Sequence, residues 1–407
     1  MPSTLVDRAV LRYTLGNRDF RLLWGDTIFN GFGMSGEQVV LSLLVYQVTG
    51  SSVWVGIALA LYFVPGLLVG VLAGAIADWM DRRALVRRCE LAMAVALGLF
   101  GLLLSFDLLQ LNLLLVMAAV SGTLRAVYSP ARLSYAYDLV GPARAVGGLS
   151  MLNIGFRVGQ LAGALSAGVL TQHVGVDAAY LSLAAGHAIA YLLAARLRSS
   201  GVASEPDSTP LRENLRTLFA EMRSNRNLSI IMMVMISVGI FGFSYITVLP
   251  ELATVQLGMG AQELGVMHAA RAAGGLSGVT VLVLLGASRR KGVLLIGTIA
   301  IFGIGLVLLG LSTTFVIVIA ALVVTAATSA VYDVLTQSVM QVIVPNKLRG
   351  RAMGVWVLVV GIEPAGHIMI GASALIFGVG LALQINGVVL LLIVLGLLLG
   401  SPRLRKL

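Results

Sequence analysis

Long apolar stretches separated by short polar loops follow one another along this whole chain. A helix needs about 20 mostly apolar residues to cross a bilayer, and each of these stretches is about that long or longer. The pattern predicts an all-α membrane protein with twelve transmembrane helices. The predicted spans are residues 20–47, 53–77, 89–107, 112–139, 146–171, 178–196, 227–256, 262–286, 293–311, 315–344, 350–376 and 380–400.

One polar stretch is much longer than the others. Residues 197–226 are rich in Ser, Pro and charged residues, which is typical of a linker. It separates a predicted N-terminal six-helix bundle, residues 1–196, from a C-terminal one, residues 227–407. Related motifs recur at similar places in both parts, such as Asp81-Arg82-Arg83 and Ser288-Arg289-Arg290. We therefore predict two pseudo-symmetric bundles that arose from a duplicated unit, with the linker in the cytoplasm.

The composition excludes an ordinary soluble protein, because 58% of the residues are hydrophobic and only 11% are charged. Soluble domains carry about 25% charged residues. The net charge of +10 comes from short basic clusters at the termini and in alternate loops, so we predict no nucleic-acid partner. This distribution predicts a multi-pass membrane protein with an even number of helices and both termini in the cytoplasm.

Motifs for other chemistry are missing from the sequence. The chain has a single cysteine, Cys89, and it has neither a cluster of His and Cys residues nor a phosphate-binding loop. We therefore expect no cofactor, no metal site and no ATP-driven step, and we expect that the protein is not an enzyme.

Ionisable and amide side chains inside the predicted spans are the candidate functional residues. A charge at the bilayer centre costs about 2.5–3.5 kcal/mol on insertion scales, so each one needs a reason. In the first span Asp26, Asn30, Gly33 and Glu37 lie on one helical face, because their spacing matches the helical repeat. The candidates for proton coupling or for a substrate cavity are Asp26, Asn30, Glu37, Arg125, Asn153, Arg157, Glu251, Asp333, Glu363 and His367.

Each candidate also has a structural interpretation. Glu37 is either a proton or substrate site or one half of a static ion pair with Arg125 or Arg157. His187 is expected to be a hydrogen-bonded packing residue. Arg125 is either a functional residue or a compensating charge. The choice between a coupling role and a capping, gating or interhelix role is open for Asp26, Glu251, Asp333, Glu363 and His367.

The loop after the second span resembles the cytoplasmic gating motif of the major facilitator superfamily. The motif residues here are Gly74, Asp78, Arg82 and Arg83, and the chain departs from the family pattern at Trp79 and Asp81. The resemblance implies that these residues form an inner gate. It also implies that spans one, four, seven and ten surround a central cavity, which Glu37, Arg125, Glu251 and Asp333 would then line.

Other motifs resemble the drug and siderophore export branch of this family, which includes macrolide-efflux and enterobactin-export proteins. They are Tyr128-Ser-Pro130-Ala-Arg132, Leu249-Pro250-Glu251 and the stretch from Pro345 to Gly354. The resemblance implies a monomeric secondary transporter in membrane lipid, with a small molecule and protons as its partners. The leading hypothesis is proton-coupled efflux of an amphipathic compound by alternating access. The alternatives are a siderophore exporter, an uptake symporter, a lipid translocator and a non-transporting scaffold.

Overall fold

A computed structural model describes residues 16–79, 81–106, 110–141, 144–200, 226–285, 291–343 and 362–400. Within these ranges the chain forms twelve principal helices. They are α1 (Arg18–Thr49), α2 (Ser52–Trp79), α3 (Arg82–Leu104), α4 (Leu111–Val140), α5 (Ala145–His173), α6 (Val176–Ala195), α7 (Arg226–Phe241), α8 (Ala261–Leu285), α9 (Lys291–Leu311), α10 (Phe315–Ile343), α11 (Glu363–Phe377) and α12 (Val379–Gly400). Most of the linker, residues 201–225, and the predicted start of the eleventh span lie outside the described residues.

Seven helical segments are long and apolar enough to cross a membrane by length and composition. They are Arg18–Thr49, Leu111–Val140, Val176–Ala195, Ser229–Gln256, Gly292–Leu311, Phe315–Val339 and Val379–Leu399. A helix satisfies its own backbone hydrogen bonds, which lipid cannot do, so such segments suit a bilayer. The predicted all-α membrane fold is confirmed.

The third helix begins earlier than predicted. We placed its start at residue 89 because the preceding arginines suggested a loop, and that start was wrong: α3 begins at Arg82. Asp81 caps the helix, since its Oδ1 accepts a hydrogen bond from the backbone nitrogen of Arg83 at 3.0 Å. A cap of this type stabilises the first turn, so the basic cluster is helical and not a loop.

The seventh predicted span, residues 227–256, consists of several helical segments. Helix α7 ends at Phe241, and a 3₁₀ segment (Phe243–Val248), one α turn and a π segment (Leu252–Gln256) follow it. We call residues 243–256 the α7 extension. Pro250 lacks a backbone donor, which favours such a break. The side chain of Asn386 on α12 donates to the Phe241 carbonyl at 2.9 Å, so a neighbouring helix satisfies the freed group.

The chain divides into two compact units. Unit 1 comprises Met1–Val48, Val64–Pro206 and Gly260–Ala272, and unit 2 comprises Thr49–Phe63, Asp207–Met259 and Ala273–Leu407. Each unit thus contains the helices of one predicted half, except that the start of α2 belongs to unit 2 and the start of α8 to unit 1.

Helix α1 is central to unit 1 because it has two different buried faces. One face packs on α5, where glycines permit very close contact. A Cβ added at Gly159 would lie 1.9 Å from the Ile28 carbonyl oxygen, and one at Gly163 would lie 2.0 Å from that of Phe32. Close approach of this kind is typical of small-residue stripes in membrane helices. The other face carries the polar residues and meets α3, α4 and α6.

Candidate functional site

The polar face of α1 is buried inside unit 1. Asp26 and Glu37 have no exposed surface, and Asn30 is only 4% exposed. One Asp26 carboxylate oxygen accepts a hydrogen bond from the Tyr128 hydroxyl on α4 at 2.6 Å. Glu37 accepts a hydrogen bond from the Ser121 hydroxyl, also on α4. The structure therefore brings Asp26, Asn30 and Glu37 onto one buried face, where hydroxyl donors of α4 meet both acids.

A second carboxylate, Glu90 of α3, lies against this face and is fully buried. Asn30 donates from Nδ2 to Glu90 Oε1 at 2.8 Å. The Nδ1 atom of His187, on α6, lies 2.6 Å from Glu90 Oε2. The His187 ring lies against Gly33, where an added Cβ would lie 2.1 Å from Nε2. We call Asn30, Glu90 and His187 the α1–α3–α6 cluster.

Sequence reasoning missed Glu90. Glu90 lies inside the predicted span 89–107, as its second residue, but it was not among the candidate residues. The early start of α3 puts Glu90 two turns into the helix, facing α1 and α6. The spacing of Glu90 from the buried apolar residues of α3 places it on the buried face of that helix, but it does not identify the partners of Glu90 on α1 and α6. His187 is buried and hydrogen-bonded as expected, but its partner is a carboxylate.

Arg132 of α4 lies near the same face and is 6% exposed. Its guanidinium carbon lies 5.7 Å from the centre of the Tyr128 ring and 5.2 Å from that of Phe156. Its charge interacts with that of Asp26. In the described part of unit 1, Arg132 Nε and Nη1 and Asp26 Oδ1 have no hydrogen-bond partner. The face therefore combines buried negative and positive groups.

The other unit 1 candidates lie on α4 and α5. Arg125 is half-buried on α4, and Arg157 is half-buried on α5. Arg157 donates from Nη1 to Gln160 Oε1 at 3.4 Å, within its own helix. Asn153 is exposed and donates to the Leu149 carbonyl at 3.2 Å. These two hydrogen bonds, of Arg157 and of Asn153, both lie within α5.

Unit 2 contains a separate group around the α7 extension. Glu251 accepts a hydrogen bond from the Ser52 hydroxyl at the start of α2. His367 of α11 is buried, and its Nδ1 lies 2.8 Å from the Thr247 hydroxyl. The same imidazole stacks on Phe63 of α2, with ring centres 5.4 Å apart and planes 11° from parallel. The structure therefore places Glu251 and His367 at contacts that join α2, the α7 extension and α11.

The remaining two candidates also belong to unit 2. Asp333 is half-buried on α10, and Glu363 is half-buried in the first turn of α11. They lie close enough for their charges to interact. In the described ranges, no three His, Cys, Asp or Glu side chains are arranged to hold a metal ion.

The polar interior has the helical framework of a known transporter family. The sequence profile of the Major Facilitator Superfamily matches residues 23–365. This chain belongs to the Major Facilitator Superfamily. The relatives that match this chain are named as transporters. This major facilitator protein is a multi-pass membrane transporter and not an enzyme.

Individual relatives agree with the family assignment. The Staphyloferrin A transporter of Staphylococcus aureus (strain NCTC 8325 / PS 47) is 24% identical over 353 residues, which cover 86% of this chain and 88% of the relative. The crystal structure of the nucleoside transporter NupG has a TM-score of 0.74 at 12% identity, covering 93% of this chain and 98% of that one. A bacterial homologue of the human lysosomal transporter Spinster has a TM-score of 0.71 at 15% identity, covering 95% and 97%. These structures establish the fold.

The gating motif of this major facilitator protein is described only in part. Gly74 and Asp78 lie on α2, and the side chains of that part of the helix lie outside the described residues. Arg82 Nη1 lies 2.8 Å from Asp138 Oδ1 and 2.7 Å from Oδ2, so it joins α3 to α4. Arg83 donates to the Arg198 carbonyl at 3.1 Å, beyond the end of α6. Both arginines hold unit 1 together at one end, and their role in a gate remains a prediction.

Proposed function

We propose that this protein is a proton-coupled exporter of an amphipathic small molecule, located in a bacterial-type inner membrane with both termini in the cytoplasm. The family supplies the alternating-access framework, and the small-molecule substrate follows from the transporters that share it. The single observation that carries proton coupling is the fully buried pair of acids on the polar face of α1, Asp26 and Glu37.

Two buried acids on one helix are costly as packing elements. Apolar residues of similar size would stabilise the bundle as well or better, so a need for charge or for protons best explains their presence. Their hydrogen bonds also fit a change of protonation. Tyr128 and Ser121 supply hydroxyl donors, which bond to a carboxylate and equally to the carbonyl oxygen of a protonated carboxyl group. Each acid can therefore gain or lose a proton without losing its neighbour.

Coupling follows when a cation and a proton compete for the same carboxylate. A carboxyl group in a low-dielectric interior binds a proton, and a positive group that approaches it favours proton release. The proposed coupling residues are Asp26, Asn30 and Glu37, with Arg125, Asn153 and Arg157 as neighbouring polar residues of unit 1. Glu251, Asp333, Glu363 and His367 are the corresponding proposed residues of unit 2.

A siderophore exporter is the second candidate, and one specific observation favours it. The matched Staphyloferrin A transporter is related over most of both chains, which is a broader agreement than a single motif gives. In this version the proton-coupling residues stay the same and the substrate changes. The choice between the candidates is therefore a question of substrate, and a transport assay answers it.

The test uses purified protein in proteoliposomes with the pH dye pyranine inside. Ethidium, an amphipathic cation, and staphyloferrin A are added separately with the vesicle interior acidic, with and without an uncoupler. Accumulation of ethidium with proton release from the interior, abolished by the uncoupler, supports the first candidate. Accumulation of staphyloferrin A with proton release, without accumulation of ethidium, supports the siderophore exporter.

Matched controls make the outcome specific. Protein-free vesicles report leakage, and the Asp177→Asn variant removes a half-buried carboxylate of α6 that lies outside the α1 face. Accumulation driven by an acidic exterior would identify an uptake symporter instead. Transport of a fluorescent phospholipid alone would identify a lipid translocator. If no compound moves in response to a gradient of either sign, proton-coupled export is wrong.

A further inference from the structure

The α1–α3–α6 cluster contains a polar atom that nothing in the described structure satisfies. His187 is 1% exposed, and its Nδ1 is held by Glu90 at 2.6 Å. Its other ring nitrogen, Nε2, has no hydrogen-bond partner among the described residues. A buried polar atom without a partner destabilises the fold, because it has lost the hydrogen bonds that water would give it. A histidine that only filled space would be replaced by an apolar residue at no such cost, so the free nitrogen calls for a function.

The hydrogen bond to Glu90 defines which ring nitrogen is available. A neutral imidazole with its proton on Nδ1 donates to a carboxylate, which leaves a lone pair on Nε2. Asn30 donates to the other oxygen of Glu90, so the carboxylate is fixed by two neighbours. The Nε2 atom lies directly against Gly33 of α1, where an added Cβ would lie 2.1 Å from it. The geometry therefore presents one basic nitrogen at the polar face of α1.

We propose that the Glu90–His187 pair is a proton-binding site of this transporter, distinct from Glu37, in which His187 Nε2 takes up the proton and Glu90 stabilises the resulting imidazolium. One N–H bond forms on uptake and the same bond breaks on release, so no other reactant is needed. Without the proton the pair carries one negative charge in an apolar bundle; with it, the pair is neutral. The role of the pair in transport rests on the proposed function, whereas proton binding itself does not.

Other charged and titratable groups face the pair from the helices packed around it. Helix α1 contributes Asp26, whose charge interacts with that of Glu90. Helix α3 contributes Cys89, and α4 contributes Tyr128 and Arg132, which share the same electrostatic neighbourhood. The proton on His187 is therefore coupled to the charge of Asp26, on the helix that also carries Glu37. A proton on the pair changes the field along the polar face of α1.

The direct test is nuclear magnetic resonance of the histidine rings in protein labelled with ¹⁵N-histidine, in lipid nanodiscs, between about pH 5 and about pH 8. The chain has four histidines, and the His187→Gln variant identifies the ring of interest by its missing signals. We expect the Nε2 signal to move from the range of an unprotonated ring nitrogen at the upper pH to that of an imidazolium at the lower pH. A His187 ring whose signals stay constant over this range would overturn the proposal.

The Glu90→Gln variant tests the role of the carboxylate. It keeps the size of the side chain and an acceptor for Asn30, so the bundle should fold. We expect the pH-dependent change of the His187 signals to be reduced or lost in this variant, because the imidazolium has lost its counter-charge. Asp177→Asn is the matched control and should leave the His187 signals unchanged. An unchanged His187 titration in Glu90→Gln contradicts the pairing. If this variant fails to fold, the parental titration, assigned by elimination with variants of the other three histidines, still decides.

A transport arm separates this inference from the proposed function. In the proteoliposome assay, Glu90→Gln and His187→Gln should lose gradient-driven accumulation and keep exchange of substrate without a gradient. If both variants accumulate substrate at the parental rate, the pair has no coupling role. If the parental protein shows no proton-driven transport, the proposed function fails, and the resonance experiment alone determines whether the pair binds a proton.

Discussion

Arg82 and Asp138 form an ion pair in which one guanidinium nitrogen lies within 2.8 Å of both carboxylate oxygens. The arginine begins α3 and the aspartate lies in the last turns of α4, so the pair fixes the distance between these helix ends. The Arg82 side chain is only 7% exposed, whereas that of Asp138 is 22% exposed. Removal of Asp138 would therefore leave a nearly buried positive charge without this partner, which is more costly than the loss of an exposed pair.

Asp138→Asn should accordingly destabilise unit 1. We expect a loss of about 1–3 kcal/mol, between the values for exposed and for buried pairs, and a lower apparent Tm of the purified protein. The matched control is Arg87→Ala, which removes an exposed charge from the same helix. If Asp138→Asn melts at the parental temperature, the ion pair contributes nothing to stability.

The contact between α1 and α5 gives a second prediction. Gly159→Ala places a methyl group 1.9 Å from the Ile28 carbonyl oxygen, which forces the two helices apart. Overpacking of this kind costs about 1–3 kcal/mol, and here it acts on backbone that cannot rotate away. The apparent Tm in detergent should fall, and crosslinking between cysteines introduced at facing positions of α1 and α5 should weaken.

Gly297→Ala is the control for that experiment. Gly297 lies on α9, and an added Cβ would meet nothing within 4 Å. Replacing a helical glycine by alanine without a clash stabilises a helix by about 0.5–1 kcal/mol, so the Tm should stay or rise. Equal effects of the two substitutions would show that close packing at Gly159 is unimportant.

The break after α7 gives a third prediction. Asn386 donates to the Phe241 carbonyl at 2.9 Å and to the Ser244 hydroxyl at 3.1 Å. Asn386→Ala leaves that carbonyl without its donor from α12, at a cost of about 1–3 kcal/mol. Hydrogen exchange should become faster in the α7 extension and stay unchanged in unit 1. Asn112→Ala, at an exposed position of α4, is the control. Unchanged exchange in the extension would mean that the break does not depend on α12.

The fold was predictable because the strongest pattern in the sequence, its long apolar stretches, has a direct physical cause. Apolar stretches of bilayer length dominate the chain, and backbone hydrogen bonding in lipid leaves a helix as the simplest solution. The same argument does not set helix ends. Asp81 caps α3 through one hydrogen bond, and that cap depends on local geometry which hydropathy does not register. The third helix was therefore predicted to be too short.

The candidate site was predictable on one helix and not between helices. The spacing of Asp26, Asn30 and Glu37 places them on one face, and they are buried together. Which residues meet that face depends on how α3 and α6 pack against α1, and periodicity within a helix carries no such information. Glu90 was missed for this reason, and the partner of His187 could not be named. The functional roles of all these residues remain predictions.

The predicted topology gives a fourth prediction. Cysteines are introduced at Ser204, in the linker, and at Ser51, in the short loop after α1, in a Cys89→Ser background. Cys89 is buried, and its replacement leaves the introduced cysteine as the single thiol of the chain. In right-side-out vesicles we expect a membrane-impermeant maleimide to label position 51 and not position 204, because basic loops stay in the cytoplasm. If position 204 is labelled and position 51 is not, the topology is the inverse of the predicted one.

The last prediction concerns Glu37. The Glu37→Gln variant keeps the shape of the side chain and an acceptor for the Ser121 hydroxyl, but it cannot bind or release a proton. If Glu37 couples transport to protons, gradient-driven accumulation should fall to the level of protein-free vesicles, while exchange of substrate without a gradient continues. If Glu37 is instead half of a static ion pair, both activities and the apparent Tm should fall together, because the pair contributes to the fold. Ser121→Ala is the control: it removes the hydroxyl and keeps the carboxylate, so accumulation should persist.

Arg125→Ala should impair both activities more severely than Glu37→Gln, because it removes a positive charge from a unit that buries several acids. Proton-driven accumulation at the parental rate in Glu37→Gln would refute the assignment and direct attention to Asp26 and to the Glu90–His187 pair.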